Sequence, residues 1–491
     1  MKIAVIGAGI GGLGIAALLS ARGHDVTVYE KNDILGGRAG VFEAEGFRFD
    51  MGPSWYLMPD VFERFFEMLG ENIHDYLDLI RLSPSYRVFF EGFEGPVDVP
   101  ANIGEAAELV ERLEPGAGPK FKKYLKTTRT QYELVVNDYL WREFRTPLSV
   151  LGKGAVTALR TLPLIGSIDQ YVRRTFKSTQ VRQLLEYTLV FLGSSPYQAP
   201  ALYAMMSHID FGLGVYYPQG GITKVVQALI RVGEKHGVKY MTNTDVTAIE
   251  TSNGKADRLR FADGSEAQFD VVVSNADMQF TETLLLNDAS RSYPQKYWDR
   301  ATLAPSALLM YLGVKGSVEQ LQHHSLYFAA EWARHFDDIF QNKKLPKNPC
   351  YYLCAPSKTD ATVAPVGYEN LFVLVPLPAR VFSASEMDSY TEEVIDHIAE
   401  TVGIANLRER IVYRNCFGPA DFQSRYNSPD GTALGLAHTL NQSAFLRPQN
   451  KSRKLSNLYY VGAGVHPGIG MPVCLVSAKL VADRIEREFS L

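Results

Sequence analysis

The chain has 491 residues, which is enough for two or three domains and a large core. Hydrophobic residues make up 46% and charged residues 21%, the balance of an ordinary globular protein, and the net charge of −4 gives no reason to expect nucleic acid as a partner. The four cysteines are too few for a disulfide scaffold and lack the spacing of a zinc site, so we expect reduced thiols and no metal.

The first stretch, residues 3–38, is the part around which the sequence is organised. A short apolar strand (3–6) leads into a glycine-rich turn, a helix of small residues runs to residue 21, and a second strand (26–29) ends at Glu30. Elements in this order predict a dinucleotide-binding βαβ unit. A signal peptide is the alternative interpretation of the apolar run, but Arg22 and His24 follow it and the acid comes where the fingerprint requires it.

The glycines of this turn fall at the fingerprint positions. Gly7 permits the tight turn, Gly9 lets the backbone approach a pyrophosphate, Gly11 lies in the same turn, and Gly12 lets the helix pack closely on the strand. The start of the helix offers free N–H groups and partial positive charge to the phosphates. Glu30 suits the two hydroxyls of an adenosine ribose and would repel a 2′-phosphate.

Lys31 follows the acid directly, and a second glycine pair comes a few residues later in the run Gly36-Gly37-Arg38. The two glycines let the chain pass close to a cofactor, and Arg38 offers a charged donor to phosphate; a solvated turn arginine is the alternative. This arrangement resembles the extended FAD signature of the amine oxidase and phytoene desaturase superfamily.

Residues 100–210 differ in character from the part before them. Segments 106–113, 121–139 and 181–191 have helical spacing, and 12 bases stand against 4 acids between Lys120 and Lys177. Trp141 and the leucine-rich runs 148–151 and 159–165 are interleaved with these bases. Such a segment favours docking on an anionic membrane surface, and a solvated basic helical domain is the alternative. No apolar run of 18 residues follows the N-terminal fingerprint, so no spanning helix is expected.

The later chain contains the return of the cofactor-binding part. A glycine turn at 217–221 precedes a helix at 222–236 and strands at 238–241, 245–251, 258–261 and 269–274. Strands at 306–314 and 371–376 and a helix at 386–402 follow; near the end, a strand (457–461), a second glycine turn and a helix (473–488) repeat the first motif. We predict an α/β fold, a Rossmann-type FAD-binding domain interrupted by a mixed α+β substrate domain with a helical, membrane-facing part. The domains are residues 1–90, 214–285 and 431–491 for FAD, and 91–213 and 286–430 for substrate.

Almost the whole chain resembles the bacterial-type carotenoid desaturases, and most of all phytoene desaturase. The two glycine turns, Gly36-Gly37-Arg38, the run 49–53, the turn at 217–221 and the segment 457–477 carry this resemblance. Val465 and Ile469 stand where smaller residues are expected, which leaves the exact substrate open.

The resemblance implies FAD, bound non-covalently, and desaturation of phytoene to a conjugated carotene such as lycopene by hydride transfer to flavin and loss of a proton. It implies an apolar tunnel for a long isoprenoid substrate, oxygen or a quinone as electron acceptor, and a cytoplasmic protein associated peripherally with the membrane. The cofactor contacts that it implies are Gly7, Gly9, Gly11, Gly12, Glu30, Lys31, Gly37, Arg38, Gly52, Pro53, Val246, Gly462, Gly464, Gly470 and Met471.

Two residues are candidates for moving the proton. His466 lies in the second glycine turn and Asp50 just before Gly52; for each, a purely structural role is the alternative. Cys474 raises the question of covalent flavin attachment, but its neighbours do not match those of the oxidases that use it.

Four other functions remain open at this point. Two are sister reactions, desaturation of a C30 substrate such as dehydrosqualene and oxidation of a preformed carotenoid. The others are a flavin amine oxidase or porphyrinogen oxidase, and a non-catalytic carrier of prenylated clients, which the intact glycine turns and Glu30 disfavour. The oligomeric state is not predicted.

Overall fold

The computed structural model describes residues 1–143, 166–443 and 446–489. The leucine-rich runs 148–151 and 159–165, on which part of the membrane prediction depends, lie outside these residues. The two largest sheets of the described residues, one parallel and one mixed, each have their own apolar core.

The first sheet is built from three distant parts of the chain. Its five parallel strands are, in spatial order, Leu458–Tyr460, Val271–Ser274, Lys2–Ile6, Asp25–Tyr29 and Lys239–Met241. All four residues of Val271–Ser274 and four of the five in Lys2–Ile6 are buried, as expected for parallel strands covered on both faces.

Three helices pack together beside this sheet. The helix Ile10–Ala21 lies against Thr223–Lys235 and Met471–Phe489. Eleven of the twelve residues of Ile10–Ala21 are buried, which explains why its sequence is small and apolar on every side. The helices at 223–235 and 471–489 confirm the two predicted after glycine turns.

The second sheet has seven strands of mixed direction. In spatial order they are Ile411–Phe417, Ser306–Lys315, Tyr368–Leu377, Tyr351–Cys354, His324–Phe328, Tyr86–Phe90 and Val97–Val99. Only the pair of Tyr86–Phe90 with His324–Phe328 is parallel. The predicted boundary at residue 90 therefore leaves a strand of this sheet on the cofactor-binding side, because local alternation gives no information about a partner more than 200 residues away.

Smaller sheets and helices surround these two. A three-stranded antiparallel sheet comprises Val246–Ser252, Lys255–Phe261 and Glu266–Gln268. Two-stranded pairs join Val41–Ala44 to Phe47–Asp50 and Leu79–Arg81 to Tyr216–Pro218. The other α-helices among the described residues are Pro59–Glu67, Ile103–Leu113, Gly118–Leu134, Ile168–Arg173, Thr179–Glu186, Met278–Phe280, Gln295–Trp298, Trp332–Phe340, Ala384–Val402, Leu407–Arg410 and Pro419–Tyr426.

The helices predicted at 106–113, 121–139 and 181–191 are present, with irregular turns. The helix Gly118–Leu134 continues as a π-helix over Val135–Leu140, and Thr179–Glu186 continues as a 3₁₀ helix over Tyr187–Leu192. Within the described ranges no helix has both the length and the apolar run needed to cross a bilayer.

Candidate active site

One large cavity connects the two sheets. Its volume is about 620 Å³, and its wall includes the first glycine turn at one side and side chains of the seven-stranded sheet at the other. Thirteen of the fifteen predicted cofactor contacts lie on this wall. These are Gly7, Gly9, Gly11, Glu30, Lys31, Gly37, Arg38, Gly52, Pro53, Val246, Gly462, Gly470 and Met471.

The first glycine turn leaves no room for side chains on its inner surface. A Cβ on Gly12 would lie 2.1 Å from the carbonyl oxygen of Gly7, and one on Gly11 would lie 2.6 Å from Oδ1 of Asn275. Gly12 is thus placed for helix–strand packing and is not on the cavity wall. The turn is held to the second glycine pair, since Gly36 N donates to Ala8 O at 2.9 Å.

Glu30 is buried at the end of its strand. One carboxylate oxygen accepts from Ala8 N at 2.9 Å, and the other accepts from the backbone N and the side-chain amide of Asn32 at 2.9 and 2.7 Å. These bonds fix the carboxylate on the wall of the cavity next to the glycine turn. The ammonium group of Lys31 donates to Ser424 O and Asn427 Oδ1 at 2.8 and 2.9 Å.

Arg38 has an unused donor beside the cavity. One terminal nitrogen donates to Ser428 Oγ at 2.6 Å, while Nε is buried without a partner among the described residues. A buried guanidinium N–H is costly to leave unpaired, and phosphate oxygens are natural acceptors for it. Together with the open glycine surface and Glu30, this donor shows that the residues present fit a dinucleotide.

Asp50 does not lie on the wall of the large cavity, although Gly52 and Pro53 do. Its carboxylate accepts from Ile222 N at 2.8 Å and Thr223 N at 3.1 Å, and so caps the helix Thr223–Lys235. Burial raises the pKa of Asp50 to about 6, against the lowering effect of these two bonds.

His466 also lies off the cavity wall. It is 5% exposed, and its Nε2 donates to the carbonyl oxygen of Arg142 at 3.2 Å. The neighbouring Pro467 does line the cavity, as do Gly462, Gly470 and Met471 at the start of the last helix. Gly464 lies behind the wall, where a Cβ would be 3.0 Å from that of Met278.

The rest of the wall is mostly apolar and comes from both halves of the chain. Its aromatic members, which the sequence analysis did not identify, include Trp55, Tyr187, Phe191, Phe328, Trp332 and Phe336. No local motif marks them as wall residues, because the segments around Trp55, Tyr187 and Trp332 are far apart in sequence and meet only in the fold.

Two hydrogen-bonded polar groups, centred on Tyr352 and His438, interrupt this apolar surface. Tyr352 Oη lies 2.7 Å from both Ser54 Oγ and His324 Nδ1. His438 Nε2 accepts from Ile469 N at 3.1 Å, so in the neutral ring Nδ1 carries the hydrogen and donates to Tyr203 Oη at 2.6 Å. Burial holds the pKa of both histidines well below the usual value, and for His438 the charge of Arg447 adds to the effect.

Comparison with known proteins gives the family. The family model of flavin containing amine oxidoreductases matches residues 10–486. A carotenoid 3,4-desaturase of Haloarcula japonica is 47% identical over 485 residues, which cover 98% of this chain and 97% of the relative. A 4,4′-diapophytoene desaturase of Staphylococcus haemolyticus is 34% identical (98% of each chain), and a zeta-carotene-forming phytoene desaturase of Myxococcus xanthus is 32% identical (99% and 93%).

Solved structures share the fold at lower identity. Cyclohexylamine oxidase from Brevibacterium oxydans superposes with a TM-score of 0.59 at 15% identity and covers 100% of this chain and 99% of its own. The chain is therefore an FAD-dependent oxidoreductase. The chain belongs to the flavin containing amine oxidoreductases and, among them, to the carotenoid desaturases.

Proposed function

We propose that this enzyme desaturates a long acyclic carotenoid. FAD is held by residues 1–90, 214–285 and 431–491, except that the strand Tyr86–Phe90 belongs with the substrate-binding residues 91–213 and 286–430. The observation that carries the proposal is the single cavity that runs from the two glycine turns to the aromatic wall. A hydrocarbon offers no polar group for recognition, so a long apolar wall beside the flavin site is what its binding requires.

We infer that the substrate is a preformed, partly conjugated carotenoid and that phytoene, which the resemblance alone implied, is the second candidate. The relative named for 3,4-desaturation is 47% identical, whereas the phytoene and diapophytoene desaturases are 32% and 34% identical, over nearly the whole chain in each case. The residues that set the shape of the tunnel are scattered along the chain, so a higher identity over the whole chain favours a similar tunnel. The difference in identity therefore supports the first candidate.

When bound, FAD supplies the acceptor for the hydride removed from an allylic carbon. The chain's own residues orient the reactants and exclude water. Gly52 and Pro53 bring the backbone to the cavity, and the aromatic wall offers apolar contacts to the substrate chain. We propose structural roles for Asp50 and His466, since the first caps a helix and the second holds the carbonyl group of Arg142.

We propose that FAD is bound non-covalently. The thiol of Cys474 lies on the cavity wall, but burial raises its pKa to about 12, so the thiolate needed for attachment is scarce.

The proposal includes a cytoplasmic enzyme at a membrane surface, from which the substrate enters and where oxygen or a quinone reoxidises the cofactor. Support comes from the exposed Leu440 and Leu446 near the cavity-lining His438, and from four exposed lysines on the helix Gly118–Leu134. Trp141, in contrast, is buried against Val476 and Leu480. We expect the protein to float with anionic vesicles at low salt and to be released at high salt; protein that stays in the dense fraction at low salt would contradict this.

The substrate is tested in two bacterial hosts, one accumulating phytoene and one accumulating lycopene, by absorption spectra of the extracted pigments. A red-shifted band in the lycopene host alone supports the preformed-carotenoid candidate. New coloured products in the phytoene host support phytoene. Unchanged spectra in both hosts, with flavin-loaded protein present, would reject both and direct attention to 4,4′-diapophytoene.

A further inference from the structure

Arg447 lies at the back of the second glycine turn and is almost completely buried, with 1% of its surface exposed. Its guanidinium donates to four carbonyl oxygens. Two of them belong to the turn, those of Ala463 at 2.6 Å and Val465 at 3.1 Å. The other two, of Leu436 and Gln442, lie at 3.1 and 3.2 Å in the preceding loop.

No carboxylate pairs with this guanidinium among the residues that the structure describes. Burial lowers the pKa of Arg447 to about 10, far from neutrality, so the group keeps its charge at physiological pH. Burying an unpaired charge is expensive, and carbonyl dipoles offset only part of that cost. Arg87 illustrates the ordinary arrangement, because it donates to both carboxylate oxygens of Asp98 at 2.7 and 2.8 Å.

The charge of Arg447 is felt on the cavity wall. Its field lowers the pKa of His438 and acts in the same direction on Cys474 and Tyr203, and all three side chains line the cavity. Ala463, which accepts its shortest bond, is a wall residue as well. The guanidinium is therefore separated from the FAD site by a single layer of residues.

We propose that Arg447 tunes the cofactor: its uncompensated positive charge stabilises the negative charge that FAD gains on reduction, and so raises the reduction potential. Removing a hydride from a hydrocarbon needs a strong oxidant, because the donor has no heteroatom to stabilise the cation that is left. A charge held in a low-dielectric site acts over several ångströms, and positive charge near the flavin is a recognised means of tuning its potential. The proposal concerns FAD alone and holds for any carotenoid substrate.

A purely structural role is the alternative, since the four hydrogen bonds also clamp the turn to the loop at 436–442. The two roles respond differently to substitution. Arg447→Lys keeps the charge but loses most of the bonds, whereas Arg447→Gln keeps amide donors for two carbonyl groups and loses the charge.

The test is the midpoint potential of the bound FAD, measured by reductive titration against reference dyes, together with the dissociation constants of oxidised FAD. We expect Arg447→Gln to lower the potential and Arg447→Lys to leave it near the wild-type value. By linkage, reduced FAD should lose on the order of tenfold more affinity than oxidised FAD in Arg447→Gln. The matched control is Arg87→Met, which removes a paired arginine away from the cavity and should not change the potential.

Wild-type potentials in both Arg447 variants would overturn the proposal. Equal decreases in the two variants would also overturn it, in favour of the clamp. If Arg447→Gln fails to retain FAD, Arg447→Met, which fills the site with apolar atoms, provides the uncharged comparison. A lowered potential in Arg447→Lys is by itself sufficient to reject the charge effect. None of these outcomes depends on turnover, so a failure here is distinct from a failure of the proposed substrate.

Discussion

Replacing Gly12 with alanine would place a methyl carbon 2.1 Å from the carbonyl oxygen of Gly7. Carbon and oxygen atoms that are not bonded approach to about 3.3 Å, so the overlap is roughly 1.2 Å. Both atoms belong to rigid parts of the βαβ unit, one to the backbone of the turn and the other to the first turn of the helix Ile10–Ala21. The overlap can be relieved only by moving the helix away from the sheet, which distorts the surface that meets the pyrophosphate.

Overpacking in a rigid core costs about 1–3 kcal/mol, and this backbone clash belongs at the upper end. If the strain is expressed in the cofactor-bound conformation, the dissociation constant of FAD rises about a hundredfold, at 1.4 kcal/mol per factor of ten. Apoprotein titrated with FAD, followed by quenching of flavin fluorescence, measures this directly.

The matched control is Gly14→Ala in the same helix. Its Cβ would meet the end of a flexible side chain, Cδ2 of Leu475 at 2.8 Å, which can rotate away. We expect this variant to bind FAD within a few-fold of the wild type. A Gly12→Ala protein that binds FAD as tightly as the Gly14→Ala protein would refute the packing argument.

Three further predictions concern the site and its surroundings. Because the pKa of Asp50 is raised from 3.8 to about 6, its folded form holds the proton more tightly than the unfolded chain, and stability from this group is lost as pH rises through 4 to 6. The unfolding temperature of Asp50→Asn minus that of the wild type should therefore increase as the pH is raised from 4 to 7. A difference that stays constant across that range would contradict the burial argument. Glu30→Gln loses a charged acceptor and should weaken FAD binding about tenfold, checked by the same titration. Leu374→Trp narrows the cavity from the seven-stranded sheet, so FAD content should stay normal while anaerobic flavin reduction by carotenoid is lost; unchanged reduction would place the substrate elsewhere.

The cofactor half was largely predictable because its information is local. The turn around Gly9, the acid at Glu30 and the glycine pair before Arg38 are each read from a few consecutive residues, and the structure brings all of them to one cavity. Backbone groups do most of the binding in such a site, and glycine positions report directly on where the backbone must approach a ligand.

The substrate half was less predictable for a physical reason. Strands such as His324–Phe328 and Tyr351–Cys354 are buried on both faces, so they show no alternation, and their pairing is a tertiary property. The position of Asp50 illustrates the same limit: its partner N–H groups lie 172 and 173 residues later in the chain. Arg447 carried no signal at all, since burial without a carboxylate is visible only in the fold.

The order of strands in the parallel sheet has a consequence for how the protein is made. The central strand Lys2–Ile6 leaves the ribosome early, but its neighbour Val271–Ser274 and the outer strand Leu458–Tyr460 follow far behind. At about 5–20 residues per second, roughly half a minute to a minute and a half separates the first strand from the last. Until Val271–Ser274 is made, one edge of Lys2–Ile6 lacks its partner strand, although Asp25–Tyr29 can pair with the other edge, and the nascent chain has only one of its two glycine turns. Chaperone protection of the N-terminal βαβ unit, and loading of FAD after release rather than during synthesis, follow from this topology.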